Sequence, residues 1–192
     1  MKTCFLDRRG HEHEKDEQPS REINVLGTKR LIGSLQQHLG NDFIFLFIST
    51  DLVYPGSSTL DTVFCETDAL KPVSVYAGHK VEVENLLKES VSNYIIVRGP
   101  FIYGLPALPD HSSVKSFFLE MIEKLKKGIA VHLFEDEFRT PCYINDALDI
   151  IVNSALKFVD CRGMAGSRVF NLTSGHTISR FEFGKVRISA SI

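Results

Sequence analysis

The chain has 192 residues, with 22 lysines and arginines against 24 aspartates and glutamates, a net charge of −2. With 43% hydrophobic and 24% charged residues, it is too apolar for a disordered chain, and the near-neutral balance leaves no footprint for nucleic acid or an anionic membrane surface. No apolar run approaches the roughly 20 residues of a membrane-spanning helix, and residues 1–9 lack the apolar stretch of a signal peptide, so a cytoplasmic protein with no membrane partner is expected. Cys4, Cys65, Cys142 and Cys161 are far apart and form no C-x-x-C pair, which reads as four reduced thiols rather than a disulfide or zinc framework.

Residues 1–22 form a mixed-charge segment. His11 and His13 stand among glutamates there, but no further ligands cluster nearby, so a solvated segment is expected and no metal site. Leu31, Leu35 and Leu39 recur at i+4, with Ile23 and Leu26 near the same side, predicting a helix from about Pro19 to Leu39. Gly40-Asn41-Asp42 ends it. The continuous apolar run Phe43–Ile48 suits a strand covered on both faces. A loop rich in Ser, Thr, Asp, Gly and Pro fills 49–71, and a helix is predicted from about Pro72 to Ser90. Tyr94–Arg98 reads as a second buried strand, followed by a long loop from Gly99 to Ser112. The residues Val114, Phe117, Phe118, Met121, Ile122 and Leu125 keep amphipathic helical spacing up to a stop at Gly128.

Ala130–Phe134 is then expected as a strand. A helix follows, capped by Asn145, with Leu148, Ile151, Val152 and Ala155 on one face. Val169–Leu172 is a fourth strand, and Ser179-Arg-Phe-Glu182 has capping-box form. The last helix should be short, since Arg187–Ile192 is not rich in helix formers. Strands separated by helices imply βαβ units and an open α/β sheet. Such sheets bind ligands beyond the carboxyl ends of their strands, which directs attention to loops 49–71, 99–112 and 135–143.

Tyr76 and Lys80 stand one helical turn apart and share a face. A free phenol is a poor acid at neutral pH, and an ammonium beside it favours the phenolate, so this pair is able to move a proton to or from a substrate oxygen. Alone the spacing says little, because five tyrosines among 192 residues give about 0.3 chance matches. Its setting is more specific. Ser49-Thr50-Asp51 follows the first buried strand directly, and a hydroxyl there is placed to hydrogen-bond the oxygen that Tyr76 serves.

Several ordered pieces together resemble a family. Ile23-Asn-Val-Leu-Gly-Thr-Lys-Arg-Leu31 resembles the helix motif N-V-x-G-T-x-x-L. Phe47-Ile-Ser-Thr-Asp-Leu-Val-Tyr54 resembles I-S-T-D-x-V-F/Y. Glu66-Thr-Asp-Ala-Leu-Lys-Pro72 resembles an acidic segment ending in Pro, and Ser74-Val-Tyr-Ala-Gly-His-Lys80 resembles S-x-Y-x-x-x-K. Val97-Arg-Gly-Pro-Phe-Ile-Tyr-Gly104 and Phe138-Arg-Thr-Pro-Cys-Tyr-Ile-Asn-Asp146 resemble the later R-x-x-x-V-Y-G and R/T-P-x-Y-V-x-D segments. In this order they resemble the extended short-chain dehydrogenase/reductases, nearest the RmlD-like (dTDP-4-dehydrorhamnose reductase) branch of the NAD-dependent epimerase/dehydratase group.

The resemblance implies an α/β fold: an incomplete Rossmann-like parallel sheet with part of a small substrate-binding subdomain. It covers residues 23–182, between the charged segment 1–22 and an atypical tail at 183–192. It implies catalytic roles for Thr50, Tyr76 and Lys80, with Tyr76 the acid/base. Ser49, Tyr76, Lys80, Gly99, Pro100 and Phe101 would hold NADP or NAD, and Asp51 and Arg139 would meet a nucleotide-sugar substrate, while Asn24 would be structural or help place the active-site loop. The expected reaction is hydride transfer to a 4-keto sugar nucleotide.

The departure is a missing Gly-rich strand–helix turn. The sequence contains no G-x-x-G-x-x-G or G-x-G-x-x-G, the element that brings backbone up to a cofactor pyrophosphate. The expectation is therefore a truncated form of a longer reductase. It should have weak dinucleotide binding, little turnover and an exposed sheet edge near Phe43–Ile48. The alternatives are a regulatory subunit resembling the methionine adenosyltransferase beta subunit, acting on a catalytic-subunit partner or as a homodimer, and a truncated isoform without function.

Overall fold

The structure is a computed structural model and describes residues 17–57, 59–105, 117–160 and 168–189. His11, His13, Cys4, Cys161 and most of the loop that follows Gly104 lie outside these residues. Contacts divide the chain into two compact units, one formed by residues 1–99 and 150–172, the other by 100–149 and 173–192.

The described residues of the first unit begin with α1 (Glu17–Arg21), a π-helical turn (Glu22–Gly27) and α2 (Thr28–Leu39), which follow one another without a break. The predicted Leu31/Leu35/Leu39 stripe is not the buried side: Leu31 and Leu39 are exposed, and the core positions are Val25 and Ile32. Spacing by four drifts about 40° per step on a 3.6-residue helix, whereas seven residues nearly close two turns, so the 25/32 pair stays on one side. Gly40 ends α2 with φ of 59°, and its N–H donates to the Gln36 carbonyl, a left-handed stop that glycine adopts without strain.

β1 (Phe45–Thr50), β2 (Tyr94–Gly99) and β6 (Arg168–Asn171) form a parallel sheet in the order β1-β2-β6. The register pairs Phe45 with Tyr94 through Thr50 with Gly99, and Ile95 with Arg168 through Arg98 with Asn171. α3 (Val75–Ser90) connects β1 to β2. It starts three residues later than predicted because Ser74, extended at φ −131°, is its N-cap and accepts from the Ala77 N–H. One core joins these elements: Val25, Ile32, Val83, Leu87, Val91 and Ile96 are buried together, with Phe45, Phe47 and Val169 packed against them.

β1 is covered on one face, not on both as its apolar run predicts. Phe45 and Phe47 turn to the helices, while Leu46 and Ile48 keep 37% and 38% exposure. Alternation puts these two sets on opposite faces of the pleat.

The second unit holds two strand pairs. β3 (Ile102–Tyr103) runs parallel to β5 (Cys142–Tyr143), and β4 (Phe138–Arg139) runs antiparallel to β7 (Ile178–Ser179). Among its described residues are also α4 (Phe117–Lys126) and α6 (Arg180–Ser189). Its core is aromatic: Phe118 and Phe183 are buried with Met121, and Phe101, Tyr103 and Phe117 pack around them. The rings meet edge-on or tilted, Tyr103 and Phe183 at 5.0 Å and Phe101 and Phe183 at 5.5 Å between centroids, the arrangement ring quadrupoles favour.

Ala130–Phe134 is not a strand. Val131 and Leu133 pack into the aromatic core, and the Phe134 carbonyl accepts from Phe181 N–H at the start of α6. The stretch thus satisfies itself on a helix end instead of a ladder. α5 (Ile144–Asp160) begins one residue before the predicted cap Asn145, a shift typical of helix ends. The capping box at Ser179 forms as expected: Glu182 N–H donates to Ser179 Oγ at 3.0 Å and Ser179 N–H to Glu182 Oε2 at 2.8 Å. The helix it starts runs to Ser189, longer than residue preference alone predicted.

Candidate active site

The carboxyl end of β1 and the first turns of α3 place three of the expected residues in the first unit. Lys80 Nζ donates to the Ile48 carbonyl at 2.8 Å, lies 4.7 Å from the Phe47 ring centre and 5.6 Å from the Tyr76 ring centre. Burial pushes its pKa below the usual lysine value, because the desolvated ammonium loses hydration energy. An ammonium has three donors and Ile48 takes one, so the group is anchored without being saturated by that bond. Tyr76 and Lys80 are therefore brought together, as the spacing requires.

Thr50 closes β1 and caps the 3₁₀ turn Asp51–Val53. Its Oγ1 accepts from Leu52 N–H and donates to Asp51 Oδ1, both at 3.3 Å. Ser49, one residue earlier, is buried and donates to Glu84 Oε1 at 2.6 Å. Gly99 ends β2 opposite Thr50 in the register, and Pro100 follows it into the second unit. Phe101 is part of the aromatic core there. Asn24 lies in the π-helical turn with its Nδ2 buried and without a hydrogen-bond partner. Insertions of this kind are frequent at functional sites.

A set of residues to which the sequence reading gives no role of their own organises this region. Glu84, wholly buried on α3 one turn beyond Lys80, receives Arg98 through Nη2 at 2.7 Å and Nε at 3.1 Å. Arg98 also donates to Tyr54 Oη at 2.7 Å and the Glu66 carbonyl at 3.1 Å. Tyr54 Oη in turn donates to Asn171 Oδ1 at 2.8 Å, and Asn171 N–H reaches Glu66 Oε1 at 2.7 Å. Burial alone would lower the Arg98 pKa, but the Glu84 carboxylate and the Tyr54 hydroxyl outweigh it and hold the guanidinium above its ordinary value. The network ties the ends of β1, β2 and β6 to α3. A charged residue inside the apolar run Tyr94-Ile-Ile-Val-Arg98 was the available signal, since a buried charge demands a partner.

In the second unit, Arg139 lies on β4 and lines a shallow cleft with Phe101, Phe117, Pro141, Arg180 and Phe183. Among the described residues no group of three or more His, Cys, Asp or Glu is placed to hold a metal ion, and no helix is long and apolar enough to cross a membrane. Cys65 is an exposed free thiol and Cys142 a buried one.

A parallel sheet with interleaved helices makes this a Rossmann-like α/β protein, and it carries a Tyr-x-x-x-Lys helix after a strand that ends in a hydroxyl. Residues 8–191 match the RmlD substrate binding domain model, and the chain belongs to that family. It is 22% identical over 179 residues to "Methionine adenosyltransferase 2 subunit beta" of Danio rerio, a match covering 93% of this chain and 51% of the relative. It is 30% identical over 93 residues to dTDP-4-dehydrorhamnose reductase of Shigella flexneri, covering 48% of this chain and 28% of that protein. Among solved structures, dTDP-4-dehydrorhamnose reductase of Bacillus anthracis in complex with NADP superposes with a TM-score of 0.76 at 23% identity, over 94% of this chain and 57% of that one. The chain thus spans about half the length of that methionine adenosyltransferase subunit relative.

Proposed function

We propose that Thr50, Tyr76 and Lys80 are the proton-transfer and positioning residues of an NAD(P)-dependent reduction of the carbonyl in a nucleotide-linked 4-keto sugar. The observation that carries this reading is the Lys80 ammonium, pinned by the Ile48 carbonyl at the carboxyl end of β1 and held 5.6 Å from the Tyr76 ring. Ligands of open α/β sheets bind at that end of the strands.

A nicotinamide cofactor would supply the hydride; the remaining work falls to the chain. Tyr76 gives its hydroxyl proton to the carbonyl oxygen as that oxygen gains negative charge. Lys80 stabilises the phenolate left behind and offers its remaining N–H groups to a ribose. Thr50 orients the carbonyl. Ser49 and Asp51 flank it, Ser49 through the buried bond to Glu84. Gly99, Pro100 and Phe101 are assigned the nicotinamide end, and Arg139 a phosphate of the sugar nucleotide. The residues present suit the nicotinamide and ribose end of such a cofactor. They offer no glycine-rich cradle for its pyrophosphate, so the 192-residue chain by itself binds dinucleotide weakly. Calorimetric titration with NADPH checks this, and micromolar affinity would contradict it.

The activity test uses the chain at high concentration with saturating NADPH and a dTDP-linked 4-keto sugar. The expected result is slow reduction in the wild type that falls by about 10²–10⁴ in Tyr76→Phe, the usual worth of a positioned general acid. Equal rates in the two proteins would refute the assignment of Tyr76.

A second reading rests on the match over 93% of the chain to a protein named as a methionine adenosyltransferase subunit. On this reading the chain serves as a subunit of such an assembly. Co-purification with a methionine adenosyltransferase catalytic subunit, with no 4-keto sugar turnover, would favour it over the reductase.

A further inference from the structure

The buried group of Glu84, Arg98 and Ser49 bears on the position of Lys80 as well as on the fold. The three residues are 0%, 2% and 4% exposed. Ser49 and Arg98 are paired in the β1–β2 register, so their side chains leave the sheet on one face. That face is the one turned to α3, where Phe45 and Phe47 also pack. Both side chains end on one carboxylate. Ser49 Oγ donates to Glu84 Oε1 at 2.6 Å, while Arg98 gives Nη2 to Oε2 at 2.7 Å and Nε to Oε1 at 3.1 Å. Lys88, a turn further along α3, brings its ammonium within 3.6 Å of Oε2. The carboxylate is thus held from β1, β2 and its own helix, and α3 is joined to Ser49 by a short, charge-assisted bond.

Lys80 lies one helical turn before Glu84, on the same side of α3. Its ammonium donates to the carbonyl of Ile48, the residue before Ser49, at 2.8 Å. Two rungs therefore cross from α3 to the end of β1, Lys80 to Ile48 and Glu84 to Ser49, and they are not equivalent. The Lys80 rung stands on a flexible four-carbon stem and follows wherever the Ile48 carbonyl goes. The Glu84 rung is buried and fixed to a second strand by Arg98. Val83 and Leu87 also hold α3 to the sheet, but apolar contact is non-directional. Apolar side chains of similar volume often stabilise as well as a buried ion pair does. What the ion pair adds at this place is direction.

We propose that Glu84 is a positioning residue: through Ser49 it fixes the Ile48 carbonyl, and so holds the Lys80 ammonium beside the Tyr76 ring. Ser49 belongs to this device, its hydroxyl proton given to Glu84 and not to a cofactor. In catalysis a misplacement of about 1 Å costs about 10²-fold in rate. That catalytic meaning rests on the reading of Tyr76 and Lys80 as the proton-transfer pair; the placing of the ammonium does not.

The test needs neither a nicotinamide nor a sugar. NOE cross-peaks between the Lys80 ε-protons and the Tyr76 ring are recorded in the full chain. They are expected in the wild type, where Nζ lies 5.6 Å from the ring centre, and are lost in Ser49→Ala. Gly104→Ala, an overpacking change in the other unit, controls for general loosening and keeps them. The double variant Glu84→Met with Arg98→Met separates direction from cohesion: its urea midpoint stays near that of the wild type, and the cross-peaks are lost. If the double variant fails to fold, Ser49→Ala and its control decide. Absence of the cross-peaks in the wild type, their survival in Ser49→Ala or in the folded double variant, or their loss in Gly104→Ala would each overturn the proposal. If Ser49→Ala alone loses them while Tyr76→Phe leaves turnover unchanged, the positioning stands and the reductase reading falls.

Discussion

Glu84 and Arg98 show what one buried charge demands of its neighbours. Both are fully enclosed, and the pair makes three hydrogen bonds within 3.3 Å. Removing one member leaves the other as an uncompensated charge in the interior. Glu84→Gln should therefore destabilise the chain by about 3–5 kcal/mol, read as a lowered urea midpoint. Ser49→Ala removes a single hydrogen bond to the same carboxylate and should cost about 1.5–3 kcal/mol. A second residue-scale prediction concerns pH. The folded-state pKa of Glu137 is about 7, against a usual value of 4.5. Between those values the folded chain holds a proton that the unfolded chain releases, so the contribution of this group is fully present below about pH 4.5 and is lost as pH rises through about 7. Two and a half units correspond to a change on the order of 3 kcal/mol. Urea midpoints of the wild type minus those of Glu137→Gln, measured from pH 5 to pH 8, should fall along that window. A flat difference would contradict the assignment.

At the scale of elements, glycines separate the tight contacts from the open ones. A Cβ on Gly104, just after β3, would sit 2.2 Å from Ile144 Cγ2 and 3.0 Å from its Cβ. Ile144 is β-branched and begins α5, so it has little freedom to turn aside. Gly104→Ala should cost about 1–3 kcal/mol, as overpacked sites do. Gly33 in α2 and Gly78 in α3 have nothing within 4 Å of the same position, and alanine there should stabilise by up to about 1 kcal/mol. Thermal melts of the three variants check the opposite signs. The elements also show what the sequence makes legible. Tyr76 and Lys80 could be placed on one helix face because the period of 3.6 and the Ser74 cap are local properties. The two long strands were readable from their apolar runs. By contrast, the Arg98–Glu84–Ser49 network joins residues up to 49 positions apart in number and follows from strand register, which no local pattern encodes. The Ala130–Phe134 stretch has strand-like composition, but its outcome was decided by the aromatic core and by α6. The Glu137–Arg180 contact likewise exists only because β4 and β7 pair.

For the whole molecule, the open side of the sheet is the main consequence. Among the described residues β1 pairs on one side alone, with β2, and Leu46 and Ile48 on its uncovered face keep more than a third of their surface in water. An apolar strand with an unpaired edge is a template for association. Light scattering should show the 192-residue chain self-associating as its concentration rises, and Leu46→Lys should suppress this by placing a charge on the exposed face. A wild type that stays monodisperse at every concentration would count against that reading. The same sheet carries the functional proposal, because its β1 end presents Thr50 and anchors Lys80.

The proposed role of Lys80 can be read without turnover. In the chain labelled with ε-¹⁵N-lysine, the Lys80 ammonium should titrate below the ordinary lysine value, and its resonance should shift on adding NADPH at high concentration while that of Lys88 stays in place. A Lys80 signal that titrates like a surface lysine and ignores the nucleotide would contradict the account.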